Sequence, residues 1–94
     1  MSKRRKKLNI ELHDKLREEV DYLEKLLIFT INSVWADDDI IYKYKKIMAL
    51  DIDERRLYLV YILMDEKIIK TAKYFDINRK IVSAVITEIK NKLI

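Results

Sequence analysis

Arg79 and Lys80 directly follow a short polar stretch, Asp76-Ile77-Asn78, in a chain whose pattern is otherwise helical. The chain has 94 residues with no glycine and no proline, so this stretch must form a turn without the usual turn residues. An arginine can donate two parallel hydrogen bonds to a guanine edge, and an asparagine can pair similarly with adenine. The types and spacing of these side chains therefore favour recognition of base edges.

Catalytic chemistry has little support in the sequence. The chain contains one histidine, His13, and no cysteine, which argues against a zinc site and excludes disulfides. No glycine-rich phosphate loop and no Ser-His-Asp arrangement is present. We therefore expect no enzyme activity, no catalytic residues, no metal site and no cofactor. The lack of cysteine fits a reducing compartment, and we expect a cytoplasmic protein.

Basic residues are concentrated at both ends of the chain, although the formal net charge is only +4. Five of them form the run Lys3 to Lys7, and seven lie between Lys67 and Lys92 against two acidic residues. This distribution predicts a polyanionic partner. The first run is typical of a disordered basic tail over residues 1–8, which can still add non-specific phosphate affinity.

A membrane location is not expected. The longest uncharged run, residues 26–36, is shorter than the about 20 residues that a membrane span needs. The basic run near the start is followed at once by charged residues, so it does not read as a signal peptide.

Apolar residues recur at steps of three and four along most of the chain, which predicts an all-α fold. A long N-terminal helix would precede a small helical bundle that ends in a helix-turn-helix. We divide the chain into the tail at 1–8, an amphipathic helix at 9–36 and a helical domain at 37–94. The five predicted helices span residues 9–34, 39–50, 53–64, 66–74 and 79–93.

The first predicted helix carries an apolar stripe. Two interpretations stay open: the stripe packs on its own domain, or it forms a homodimer through residues 9–34. Trp35 is expected in the core. The stripe consists of Leu12, Leu16, Leu23, Leu27 and Val34.

Several polar residues are predicted to begin or end helices. Asp51, followed by Glu54 three residues later, resembles a capping box. Asp65 and Asn78 are candidate N-caps of the fourth and fifth helices. Asp76 stands where a left-handed residue is needed, and aspartate tolerates that conformation better than most residues.

The last two helices are joined by about three residues and are expected to share a core. Ala72 is small where the helices should touch. Val82 and Val85 of the fifth helix are predicted to face Ala72 and Ile69 of the fourth.

This spacing resembles a helix-turn-helix DNA-binding unit. Over residues 53–93 the chain is also similar to the fourth conserved region of sigma-seventy-type transcription initiation factors. The stretch Glu54-Arg55-Arg56 and its distance to Ala72 carry that similarity. The chain departs from the pattern at Asp76, where glycine is usual, and at Thr71, where an aliphatic residue is usual.

The resemblance implies a role in transcription control, with double-stranded DNA as partner and RNA polymerase as a candidate second partner. It places the fifth helix in the major groove, with other basic side chains on phosphates. The implied base-reading residues are Asn78, Arg79, Lys80, Ser83, Ala84 and Thr87. The implied phosphate contacts are Arg56, Lys67, Lys70 and Lys73.

A second hypothesis is a non-enzymatic structural or adaptor module, for example a phage-type assembly or packaging component found in a virion. Such a protein would use its helices for protein contacts and its basic ends for non-specific contact with nucleic acid. Salt-dependent binding to random DNA fits both hypotheses. Sequence preference separates them.

Overall fold

The computed structural model describes residues 10–94, which form five α-helices and no strand. The all-α prediction is thereby confirmed, whereas the predicted tail at residues 1–8 lies outside the described part. No helix between residues 10 and 94 is long and apolar enough to cross a membrane. The helices are α1 Asp14–Ile31, α2 Asp38–Met48, α3 Ile52–Leu63, α4 Ile68–Phe75 and α5 Arg79–Lys92.

Residues that precede α1 are already part of the core. Ile10 and Leu12 are buried but not helical, so the predicted start of the first helix at residue 9 was too early. The backbone N–H of His13 donates to the Tyr74 hydroxyl at 3.0 Å, and the two rings meet edge to face with centroids 5.5 Å apart. This short segment therefore attaches the start of the described chain to the C-terminal end of α4.

Helix α1 ends at Ile31, three residues earlier than predicted. Leu27 is buried, and Leu16 and Leu23 pack against the core, so the central part of the stripe faces inward. Val34 and Trp35 lie in the following link and are 89% and 91% exposed. The prediction of a core tryptophan was wrong, because the chain has left the helical path that would carry the stripe past residue 31.

Helix α3 lies at the centre of the bundle and contacts α1, α4 and α5. Five consecutive residues, 57–61, are buried, including Leu57 and Val60, which have no exposed surface. A helix that is covered on several sides needs apolar residues all round and not only on one stripe. The sequence Leu-Tyr-Leu-Val-Tyr supplies them.

Arg55 joins three elements at the start of α3. Its Nε donates to Oε2 of Glu24 on α1 at 2.6 Å, and its Nη1 donates to the carbonyl oxygens of Met48 and Leu50 at 3.2 and 3.4 Å. The two charged side chains are only 18% and 21% exposed. Arg55 therefore holds the end of α2 and the side of α1 against α3.

The predicted capping box at Asp51 and Glu54 is wrong. Asp51 is the N-cap residue of α3, but its side chain accepts no capping hydrogen bond. Glu54 is buried, and both of its carboxylate oxygens accept from Nζ of Lys92 at 3.0 Å. Glu54 thus has a tertiary partner on α5, which sequence spacing could not indicate.

The link between α3 and α4 also differs from the prediction. Asp65 does not cap α4; the N-cap residue is Lys67, without a side-chain hydrogen bond. Asp65 and Glu66 instead both adopt left-handed φ angles of 60° and 56°. The Glu66 N–H donates back to the Tyr61 carbonyl at 2.9 Å, which closes the end of α3 without glycine.

Candidate nucleic-acid interface

The turn between α4 and α5 has the geometry that its residues predict. Asp76 ends α4 in the left-handed region at φ 55° and ψ 45°, and the Ile77 N–H donates to the Ala72 carbonyl at 3.0 Å. Asn78 is the N-cap of α5, and its Oδ1 accepts from the Lys80 N–H at 2.7 Å. The predicted left-handed conformation of Asp76 and the predicted N-cap at Asn78 are both confirmed. Each depends only on residues close in the chain.

The predicted core between α4 and α5 is confirmed in part. Ala72, Val82 and Val85 are buried, as predicted. Ile69 is 62% exposed, so its predicted place in the core facing α5 is wrong. The inward position belongs to Thr71, which is fully buried and whose hydroxyl donates to the Lys67 carbonyl at 2.9 Å. That bond satisfies the hydroxyl within α4, so a threonine can occupy a site where an aliphatic residue is usual.

The predicted base-reading set lies on the outward face of α5 and at its N-cap residue, Asn78. All six residues are exposed, and the opposite side of the helix is buried through Val82, Val85, Ile86 and Ile89. The hydroxyl of Thr87 donates to the Ser83 carbonyl at 2.9 Å, so it presents mainly a methyl group and an acceptor. The exposed residues are Asn78, Arg79, Lys80, Ser83, Ala84 and Thr87.

Helix α5 begins with an unfavourable charge arrangement. Its first turn contains no acidic residue and starts with Arg79 and Lys80. The N-terminal end of a helix carries a partial positive charge, so acidic side chains stabilise it and basic ones oppose it by about 0.3–1 kcal/mol each. Departures from a local stability rule are expected where a site has another use.

The predicted phosphate contacts fall into two groups. Lys67, Lys70 and Lys73 are exposed at the start of α4 and along it, and α4 contacts α5 directly. Arg56 lies on α3 and is half-buried. Exposed lysines thus lie on the helix that precedes the candidate recognition helix, where the resemblance places backbone contacts.

Two basic residues of α5 have structural partners. Nζ of Lys90 donates to the Tyr61 hydroxyl at 3.2 Å and lies 5.2 Å from the centre of that ring. This hydrogen bond raises the pKa of Lys90 above its usual value. Lys92 pairs with Glu54. The C-terminal end of α5 is therefore held to α3, while Arg79 and Lys80 at its start are exposed.

Sequence reasoning left five exposed residues of α5 out of the face: Ile81, Glu88, Lys90, Asn91 and Lys92. A projection of the helix at 100° per residue, centred opposite Val82 and Ile89, would have included Glu88 and Asn91. Between residues 10 and 94 no group of three or more His, Asp or Glu side chains is placed to hold a metal ion.

No protein-family model, curated protein or solved structure matches this chain. The resemblance to the fourth region of sigma factors therefore stays a prediction from the residues quoted above.

Proposed function

We propose that this protein is a small DNA-binding protein of the sigma-region-four-like type that acts in transcription control in the cytoplasm. Helix α5 enters the major groove, with Arg79 and Asn78 at its groove-facing end. Lys67, Lys70, Lys73 and Arg56 contact phosphates and position the helix. RNA polymerase is a proposed second partner through the same resemblance.

The observation that carries this proposal is the first turn of α5. Arg79 and Lys80 are exposed at the positive end of the helix dipole, where both lower the stability of the isolated protein. A phosphate or guanine edge placed there would reverse that cost, because it accepts hydrogen bonds from the same side chains. A surface that only had to stay hydrated would gain nothing from this arrangement.

The exposed apolar residues favour a second candidate, a non-enzymatic structural or adaptor module. Phe29 and Trp35 are 74% and 91% exposed, which fits a surface used for protein contacts. In this alternative the basic residues contact nucleic acid without sequence preference. The two candidates differ in whether any single base pair matters for binding.

Fluorescence anisotropy on selected and random duplexes, at several salt concentrations, separates them. The selected duplexes come from a pool of random sequences enriched on the protein. We expect Arg79→Ala to weaken binding to the selected site by about 1–3 kcal/mol and to remove the preference there. Lys70→Ala should weaken binding to both duplexes equally. It should also lower the slope of log affinity against log salt concentration by about the contribution of one phosphate contact. Equal losses for both variants on both duplexes would support the adaptor module.

The same variants can be checked for correct folding. Arg79→Ala should raise the free energy of unfolding by about 0.3–1 kcal/mol, because it removes a charge that opposes the helix dipole. Lys45→Ala is the matched control, since Lys45 is exposed in the last turn of α2, where the dipole favours it. That variant should keep full DNA affinity and lose a little stability. A destabilised Arg79→Ala protein would remove the central support of the proposal.

A further inference from the structure

Helix α5 carries a row of apolar groups on its exposed surface. Ile81 is 47% exposed, although it is a large aliphatic residue, and Ala84 and Thr87 follow it at steps of three and are exposed as well. Residues three apart are neighbours on a helix surface, with Cβ atoms about 5–6 Å apart. These three residues are called the α5 row below, and the row extends over about 10–12 Å.

The α5 row crosses the outward face of the helix. At about 100° per residue, Ala84 lies within about 30° of the direction opposite Val82 and Ile89. Thr87 lies about 30° from that direction on the other side, and Ile81 lies about 90° from it. The row therefore runs from the edge of the outward face across its centre, where a molecule bound along α5 would meet it.

The two central residues of the row offer methyl groups. The hydroxyl of Thr87 donates to the Ser83 carbonyl at 2.9 Å, so its proton is used within the helix. Ala84 has a methyl group and nothing else. Neither side chain therefore donates a hydrogen bond to a base edge.

Thymine carries the apolar group that matches such a row. Base pairs present hydrogen-bond donors and acceptors in the major groove, and thymine adds its C5 methyl group, which the methyl groups of alanine and threonine contact. Covering donors and acceptors with an apolar surface costs free energy, because they lose water without gaining a partner. An apolar row is therefore better matched to thymine than to the edge of a G·C pair.

We propose that the α5 row reads thymine in the DNA that this protein binds. The proposal rests on the proposed function, because it requires α5 to lie in the major groove. Bases follow one another about every 3.4 Å along a strand, so the row spans about three base steps. Its three side chains contact the C5 methyl groups of two or three thymines within about four consecutive base pairs.

Uracil replacement in the DNA tests the proposal, because uracil is thymine without the C5 methyl group and pairs with adenine in the same way. The probe is the duplex enriched from the random pool, with its thymines replaced by uracil one at a time. Fluorescence anisotropy on the wild-type protein is expected to show about a fourfold loss of affinity at each contacted thymine. The protein itself is unchanged, so such a loss cannot come from unfolding. Equal affinity after every replacement overturns the proposal.

Thr87→Ser identifies one contact from the side of the protein. Serine keeps the hydroxyl that donates to Ser83 and loses only the methyl group. The variant should bind the thymine duplex about fourfold more weakly than the wild type. At one thymine, replacement by uracil should then cause no further loss, because the methyl contact is already gone. Losses that add at every thymine overturn the assignment of Thr87.

Ile81→Ala tests the edge of the row. This variant should also bind the thymine duplex more weakly and lose its response to uracil at one position. Ile40→Ala is the matched control, because Ile40 is 40% exposed and lies on α2, outside the candidate interface. The control should keep the affinity and the uracil response of the wild type. Equal losses of affinity in the two variants overturn the assignment of Ile81.

Failure of this proposal is distinguishable from failure of the proposed function. If the pool yields an enriched site that Arg79→Ala weakens and uracil does not, α5 reads DNA without the thymine contacts and this proposal alone is wrong. If the pool yields no enriched site, both the recognition helix and its reading of thymine are wrong.

Discussion

Arg55 and Arg56 are adjacent in the sequence but have different surroundings. Arg55 is enclosed between Glu24 and two backbone carbonyls at the end of α2, whereas Arg56 is half-buried on the side of α3. The resemblance to sigma factors gave Arg56 a phosphate-contacting role and gave Arg55 none. The contacts of Arg55 define its role as structural.

The pair provides a prediction at the scale of single residues. Arg55→Met should lower the free energy of unfolding by about 2–3 kcal/mol, because it leaves the partly buried Glu24 carboxylate without its ion pair. The melting temperature should fall by roughly 10–20 °C. Arg56→Met should leave melting nearly unchanged and weaken binding to random DNA.

Thermal unfolding of the two variants checks the predicted stabilities. Fluorescence anisotropy, recorded below both melting temperatures, checks their binding to random DNA. Each variant is the control for the other, since both replace an arginine by methionine in the same helix. Equal melting temperatures would contradict the structural role of Arg55. A loss of DNA affinity confined to Arg55→Met would contradict the assignment of Arg56.

At the scale of elements, the link between α3 and α4 stores conformational strain. Asp65 and Glu66 are both left-handed, and neither is a glycine. This conformation costs an L-residue about 1–2 kcal/mol, with a smaller cost for aspartate, whose short side chain can hydrogen-bond locally. Glu66 lacks that compensation, so it is the more strained of the two. Tertiary packing of α4 on α3 holds the link in this shape.

Glu66→Gly should therefore stabilise the protein. We expect a gain of about 0.5 kcal/mol, because the removed strain exceeds the extra backbone entropy of glycine in the unfolded chain. The expected rise in melting temperature is roughly 2–4 °C. Glu18→Gly is the matched control in the interior of α1, where the same substitution should cost about 1 kcal/mol. A loss of stability in Glu66→Gly as large as in the control would contradict the left-handed geometry.

At the scale of the whole molecule, stability should fall in alkaline solution. Burial raises the pKa of Tyr58 above 10.0, and the hydrogen bond to Tyr61 raises that of Lys90 above 10.5. Both groups hold their protons more tightly in the folded state. Their stabilising contribution is therefore complete below the pKa values of the unfolded chain and is lost as the pH rises through the folded ones.

Urea unfolding near neutral pH and above pH 10.0 measures this loss. Tyr58→Phe should show a smaller fall in unfolding free energy between the two conditions than the wild type, because it removes one of the two groups. Tyr42→Phe is the control, because Tyr42 is an exposed tyrosine of α2. Its unfolding free energy should fall between the two conditions as much as that of the wild type. Identical falls for Tyr58→Phe and the wild type would contradict the role of burial.

Local features of this protein were predictable from its sequence. The five helices, the left-handed Asp76 and the cap at Asn78 depend on residues close in the chain, and so does the outward face of α5. The all-α class followed from the same periodicity. These predictions succeeded because neighbouring side chains and backbone groups settle them within one or two turns.

Only the tertiary structure decided which partners lie across the fold. Glu54 pairs with Lys92 instead of capping α3, Trp35 is exposed although it is apolar, and Thr71 takes the buried position expected of Ile69. Each outcome depends on where a distant helix lies, and spacing along one helix carries no information about that. The sequence by itself therefore determined the helices and the turn, while packing around α3 determined which apolar and charged residues stayed in solvent.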